Sequence, residues 1–328
     1  MWQHFQVVGT GLHLPRRRLS AEDIDRRAGV PAGWTRTQIG ILNRHECAAP
    51  ETLASLACEA AAAALTDAAV GWQEIDLIID GSTCRHQPIP FNAACLQAEF
   101  GPAAQGIACM DVHSTCLGFV LALHVANSLL ASAAYRHILI VCSEAGLAGV
   151  NWKEPESACL LGDGAAAVVL HRTPPRLTWF FAHETYSQYV ETCQVRGGGH
   201  NLPPFACTPE NEAAFRFHMD GPLLFRAAGK HLPRMTQTLL ASAGLAAGTL
   251  HVIPHQASPK ALVIFRRLMG FRTEFVHDRI AQLGNMAAAS IPAVLHQCRT
   301  EGIIPAGANV MLLGTSAGYS QAVAIFQV

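Results

Sequence analysis

Asp111-Val112-His113-Ser114-Thr115-Cys116-Leu117-Gly118-Phe119-Val120-Leu121-Ala122-Leu123-His124 is the stretch from which the fold is read. Before it, the short apolar run Gly106 to Met110 reads as a buried strand. After it, Leu117 to Ala134 reads as a long helix with almost no polar face. Cys116 falls where the polar turn becomes the helix. That places a thiol at the positive end of a helix dipole, an arrangement that favours thiolate. A strand, a turn and a helix in this order form an elbow that presents a nucleophile. Cys116 is therefore the candidate nucleophile, a residue able to form a thioester. The other ten cysteines read as buried free thiols.

The surroundings support a large soluble core. Half of the 328 residues are hydrophobic and 14% are charged, which excludes disorder and predicts heavily buried elements. The net charge of −1 leaves no global field for nucleic acid or an anionic membrane. None of the eleven cysteines is in C-x-x-C spacing, so neither a disulfide framework nor a structural zinc site is expected. Reduced thiols of this kind predict a cytoplasmic protein. No metal ligand set stands out: His251 and His255 are four apart, but Pro254 lies between them. The basic run Arg16-Arg17-Arg18 follows the first apolar stretch, the reverse of a secretory leader. His124 and Asn127 interrupt Leu117 to Ala134, and a strand follows at His137, so no membrane insertion is expected.

Along the chain, strands and helices alternate. Val7 to Leu12 reads as a strand, and Ser20 with Asp23 as a capping box. Trp34 to His45 reads as a loop, Thr52 to Asp67 as an Ala-rich helix and Glu74 to Ser82 as a buried strand. Phe91 to Phe100 reads as a helix, His137 to Ser143 as a strand, and Cys159 to Leu170 as a turn and strand. Thr173-Pro174-Pro175 reads as a break between halves. Strand returns from Leu177 to Glu184, followed by an irregular loop from Thr192 to Asn211. The rest reads as helix Gly221 to Ala243, strand Leu250 to Pro254, helix Pro259 to Met269, helix Ala287 to Cys298, and strands Asn309 to Leu313 and Ala322 to Val328. The expectation is an α/β fold with mixed sheets, built of two loosely repeated halves, 1–172 and 173–328. Loops from equivalent strands would then face each other at the centre.

Three reactive or donor side chains fall where a strand or loop ends. They are Cys116, His255 in Pro254-His255-Gln256-Ala257-Ser258, and Asn285 in Gly284-Asn285-Met286-Ala287-Ala288-Ala289-Ser290-Ile291-Pro292. Singly, a His after a strand or an Asn before an Ala-rich helix is an ordinary structural residue. A Cys, a His and an Asn brought together by the fold form a nucleophile beside two hydrogen-bond donors.

Together these stretches resemble the β-ketoacyl-acyl carrier protein synthase III family of thiolase-like condensing enzymes. The markers are Ser114-Thr115-Cys116-Leu117-Gly118-Phe119, Leu161-Gly162-Asp163-Gly164-Ala165-Ala166, His218-Met219-Asp220-Gly221, His255-Gln256-Ala257, the run from Gly284 to Pro292 and the final turn Gly314 to Ser320. The resemblance implies a five-layered αβαβα fold of two pseudo-twofold-related halves, and a homodimer. It implies an acyltransferase without a cofactor. Cys116 takes an acyl group from acyl-CoA or a similar thioester, and a malonyl thioester on acyl carrier protein then loses CO2. The enolate oxygen would meet the N–H groups of His255 and Asn285. Backbone N–H groups of Cys116 and Gly318 match the family's oxyanion hole.

The chain departs from the family pattern in places. Gln38 stands where an arginine commonly holds the coenzyme A nucleotide, leaving Trp34 for stacking and Arg36 as the nearby cation. Ser258 replaces an asparagine. Lys260 falls at a carrier-docking position, with Arg266 and Arg267 extending the patch. In Pro88-Ile89-Pro90-Phe91, where the family's opposite subunit shapes the acyl pocket, Ile89 or Phe91 takes the place of a phenylalanine. A changed wall points to a primer other than acetyl, and to specialised metabolism beside fatty acid synthesis. Two other functions fit the same residues. One is a Cys-dependent acyltransferase or thioester hydrolase that never decarboxylates. The other is a catalytically silent partner of a synthase complex.

Overall fold

The computed structural model describes residues 1–328. Two mixed sheets carry the molecule. The first contains Gln3–His13 (β1), Leu77–Asp80 (β2), Ala108–Asp111 (β3), His137–Glu144 (β4) and Gly164–Arg176 (β5), in the order β1-β5-β4-β2-β3. The second contains Phe180–Thr185 (β6), His251–Pro254 (β7), Asn309–Ser316 (β8) and Ser320–Gln327 (β9), in the order β7-β8-β9-β6. In the first sheet β2 and β4 are parallel, while β4-β5 and β5-β1 are antiparallel. In the second, β7 and β8 are parallel, while β8-β9 and β9-β6 are antiparallel. The same four-strand pattern thus occurs twice, with β3 as an extra edge on the first copy.

Helices fill the remaining layers. Leu53–Ala68 covers the outer face of the first sheet through Leu56, Ala60 and Ala64, which pack on Ile78, Leu139 and Val169. Gly118–Ala131 and Ser290–Thr300 lie between the sheets, in a core that joins Phe5, Ile79 and Ile140 to Ile253, Leu312 and Phe326. Gly221–Ala243 and Pro259–Met269 cover the outer face of the second sheet through Leu232, Met235 and Met269. This is the five-layered αβαβα, thiolase-like arrangement. Removing these apolar faces from water is what holds the layers together, at roughly 25 cal/mol per Å². No helix is long and apolar enough to cross a membrane.

Several local expectations shift. The strand expected over Gly106 to Met110 runs Ala108–Asp111, and Ala108 is exposed, because β3 is the sheet's edge strand. Thr173-Pro174-Pro175 continues β5 to Arg176, which pairs with Gln3 across a bulge, so the first sheet runs to Arg176 and the second begins at Phe180. These prolines lie beyond the last β4 partner, His137 opposite His171, so their missing N–H groups cost that ladder nothing. Part of the loop expected over Trp34 to His45 is ordered. Thr35–Ile39 is a wide helical turn, and Asn43–Glu46 pairs with Arg17–Ser20.

Candidate active site

The elbow at Cys116 is tight. Thr115–Leu117 form one narrow helical turn, and the α-helix proper starts at Gly118. Thr115 adopts φ of +44°, a strained value for a β-branched residue, and such strain clusters at functional positions. Gly118 lets the helix start press on the end of β2. A Cβ there would lie 1.9 Å from the Gly81 carbonyl oxygen, so no side chain fits.

Cys116, His255 and Asn285 come from one half and two remote stretches of the other, and all three line a single cavity of about 310 Å³. His255 follows β7, and its backbone N–H donates to the Leu313 carbonyl (2.7 Å), extending the β7-β8 pairing by one residue. Its ring packs against Gly314, where a Cβ would come within 2.6 Å of the His255 Cβ. Burial lowers the imidazole pKa to about 4, so the ring is neutral at pH 7 and carries one N–H. Its Nδ1 has no protein partner.

Asn285 is held at both backbone groups. Its N–H donates to the Leu160 carbonyl (2.8 Å) and its carbonyl accepts from the Gly162 N–H (3.0 Å). The Ala287 N–H donates to its Oδ1 (2.9 Å), while its Nδ2 makes only a long bond to the Ala257 carbonyl (3.4 Å). The carboxamide oxygen is therefore committed to the turn, and the amide N–H₂ is the end left for a ligand.

Burial raises the Cys116 thiol well above its ordinary range, with Cys193 and Glu144 adding to the effect, while the backbone at Ala317 and Cys116 acts the other way. Burial thus opposes the helix-dipole expectation of a stabilised thiolate.

Of the final turn, Thr315, Ser316 and Ala317 line the cavity and Gly318 does not; a Cβ on Gly318 would face Val190.

Sequence reasoning also missed Glu144, a buried carboxyl in the cavity wall. Its Oε1 accepts from the N–H groups of Thr83 (2.7 Å) and Ala288 (3.3 Å), and its Oε2 from that of Cys84 (3.0 Å). It thereby ties the end of β2 to the turn that follows Asn285. Burial pushes it up to about 7, against those backbone donors.

The other expected site residues are placed as follows. Trp34 and Lys260 line a second groove of about 480 Å³, and Met219 lines both this groove and the catalytic cavity. Arg36 lies elsewhere: its guanidinium pairs with Glu22 (3.0 Å) beside a different depression, because that carboxylate is the nearest countercharge. Ile89 and Phe91 are 84% and 45% exposed and do not touch the cavity within this chain. Arg267 is exposed and Arg266 half-buried on the helix that begins at Pro259.

The profile of 3-oxoacyl-[acyl-carrier-protein (ACP)] synthase III matches residues 110–187, and its C-terminal profile matches residues 240–328, together just over half of the chain. The beta-ketoacyl-[acyl-carrier-protein] synthase III of Neisseria gonorrhoeae is 29% identical over 326 residues, 99% of each chain. The crystal structure of 3-oxoacyl-[acyl-carrier-protein] synthase III from Aquifex aeolicus superposes with a TM-score of 0.87 at 26% identity, covering 99% of this chain and 100% of that one. The priming beta-ketosynthase of the R1128 polyketide biosynthetic pathway superposes at 0.89 with 25% identity, covering 100% and 97%. With a cysteine elbow, a neutral histidine and an oriented asparagine in one cavity, the chain belongs to the 3-oxoacyl-[acyl-carrier-protein] synthase III family.

Proposed function

We propose that the protein is a decarboxylating condensing enzyme, an acyltransferase that joins an acyl group on Cys116 to a malonyl-type thioester on acyl carrier protein. The observation that carries this reading is the shared cavity of Cys116, His255 and Asn285. In the first half-reaction the sulfur attacks the acyl thioester carbonyl. The donor's thiol leaves with the proton, and the N–H groups of Cys116 and Ala317 stabilise the oxyanion.

In the second half-reaction the malonyl carboxylate departs as CO2, and its bonding electrons move into an enolate. The neutral imidazole of His255 and the Asn285 Nδ2–H donate to the enolate oxygen. The carbanion attacks the acyl carbonyl, the C–S bond to Cys116 breaks, and the departing thiolate takes a proton from water. Two uncharged donors suit this step, because the malonyl carboxylate has to lose its charge nearby. All the groups required belong to the chain and its two thioester substrates, so the reading includes no cofactor.

The exposed Ile89 and Phe91 are consistent with a homodimer in which this loop meets the partner subunit and covers them. All eleven cysteines are free, which supports a reducing, cytoplasmic setting. The test is a steady-state assay with an acyl thioester and malonyl-acyl carrier protein. The expected result is one CO2 released for each 3-oxoacyl thioester formed. Acyl transfer or hydrolysis with no CO2 would instead establish the non-decarboxylating acyltransferase.

A further inference from the structure

Met219 lines both the catalytic cavity and a neighbouring groove, so the groove opens beside the approach to Cys116. Its walls are largely apolar: Trp34, Ile39, Leu160, Pro222, Phe225 and Ile264. The charged side chains among its lining residues are one cation, Lys260, and one carboxylate, Glu156, which cancel formally. Gln38 supplies an uncharged amide, and Arg36 is committed to Glu22.

A coenzyme A nucleotide brings three phosphate groups. Sites that hold such groups supply arginine forks, lysines or helix N-termini in number. This groove's lining offers a single ammonium and a carboxylate, so the nucleotide would gain little there. A bare pantetheine arm is a better match. It is uncharged along its length and needs only a narrow, mostly apolar channel with a few polar contacts.

The rim continues onto the helix Pro259–Met269. Lys260, Val263, Ile264, Arg267 and Leu268 follow the spacing i, i+3, i+4, i+7, i+8 and so share one face. Val263, Ile264 and Leu268 are 41%, 40% and 53% exposed. Lys260 and Ile264 belong to both the groove and this face, which makes the two surfaces continuous. A basic and apolar face is complementary to an acidic, amphipathic protein helix.

We propose that the acyl donor loading Cys116 is carried on the pantetheine arm of an acidic carrier protein rather than on coenzyme A. The proposal rests on the condensing-enzyme reading and names its first substrate. The same face then receives both substrates in turn, each delivering its thioester through the one groove.

The experiment loads the full-length protein with the same acyl chain in three forms: butyryl-coenzyme A, butyryl-pantetheine and butyryl-acyl carrier protein. Intact mass follows the adduct with time. Carrier-borne butyrate should load at least about tenfold faster than butyryl-pantetheine, because docking adds contacts that pantetheine lacks. That advantage should shrink as salt rises, as it does for complementary charged surfaces. Butyryl-coenzyme A should stay within about threefold of butyryl-pantetheine, since the nucleotide finds few partners. Coenzyme A outrunning pantetheine by about tenfold or more would overturn the proposal. So would a carrier-borne donor no faster than pantetheine. If no acetyl, butyryl or hexanoyl donor in any form gave an adduct, the nucleophile assignment would fall, and this proposal with it.

Discussion

Cys116→Ala should abolish the acyl adduct and lower condensation by on the order of 10⁵-fold, the scale seen when a covalent nucleophile is removed. The same variant should still decarboxylate malonyl-acyl carrier protein without coupling, within roughly tenfold of the wild type's own uncoupled rate. The reason is spatial. The donors to the enolate, His255 and Asn285, come from stretches remote from the elbow and keep their own anchors: the Leu313 carbonyl for one, Leu160 and Gly162 for the other. Alanine leaves a small gap at the wall of an existing cavity, so the fold loses little. The measurements are intact mass for the adduct and CO2 release for the decarboxylation. An acylated Cys116→Ala protein would place the nucleophile elsewhere.

Asn285→Ala should show the complementary pattern. Loading of Cys116 should stay within about threefold of wild type, because the sulfur and the N–H groups of Cys116 and Ala317 are untouched. Decarboxylation should fall by about 10² to 10³, the usual cost of removing one oxyanion donor, or about 3–4 kcal/mol. The side chain's own bonds make it a donor at this site: Oδ1 is occupied by the Ala287 N–H, while Nδ2 has only its long contact to Ala257. Loss of that Oδ1 bond also loosens a turn in which Ala287 sits at φ of +40°. Thermal melting of the variant separates the two effects, since a local donor loss leaves the midpoint nearly unchanged. Equal losses in loading and decarboxylation would remove the specific role assigned to Asn285.

The sequence made some features legible and hid others, for physical reasons that differ by residue. Helix ends are local, so they were readable. Ser20 and Asp23 form the expected capping box. Asp220 and Ser258 cap the helices starting at Gly221 and Pro259, and Gly244 and Gly270 end them in left-handed conformations. The meeting of Cys116, His255 and Asn285 was legible only through their combination, because each rests on a strand or turn whose neighbours come from far along the chain. Burial was not legible. The dipole argument for Cys116 used its own helix, whereas the thiol's proton affinity is set by everything packed around it. Glu144 was hidden for the same reason: nothing in Cys142-Ser143-Glu144 shows that a carboxyl at the end of β4 will collect N–H groups from residues 83, 84 and 288. Arg36 illustrates the converse. It lies near Trp34 in sequence, but the wide turn at Thr35–Ile39 directs its guanidinium to Glu22 and away from the groove.

A single-turnover chase puts the central assignment to its most direct trial. Protein preloaded with one acyl group is mixed with malonyl-acyl carrier protein, and the acyl mass, its peptide position and CO2 are followed together. The adduct should map to Cys116 and disappear with one CO2 and one 3-oxoacyl thioester per acyl group. An adduct on another residue, or one discharged only to water while malonyl-acyl carrier protein stays intact, would contradict it.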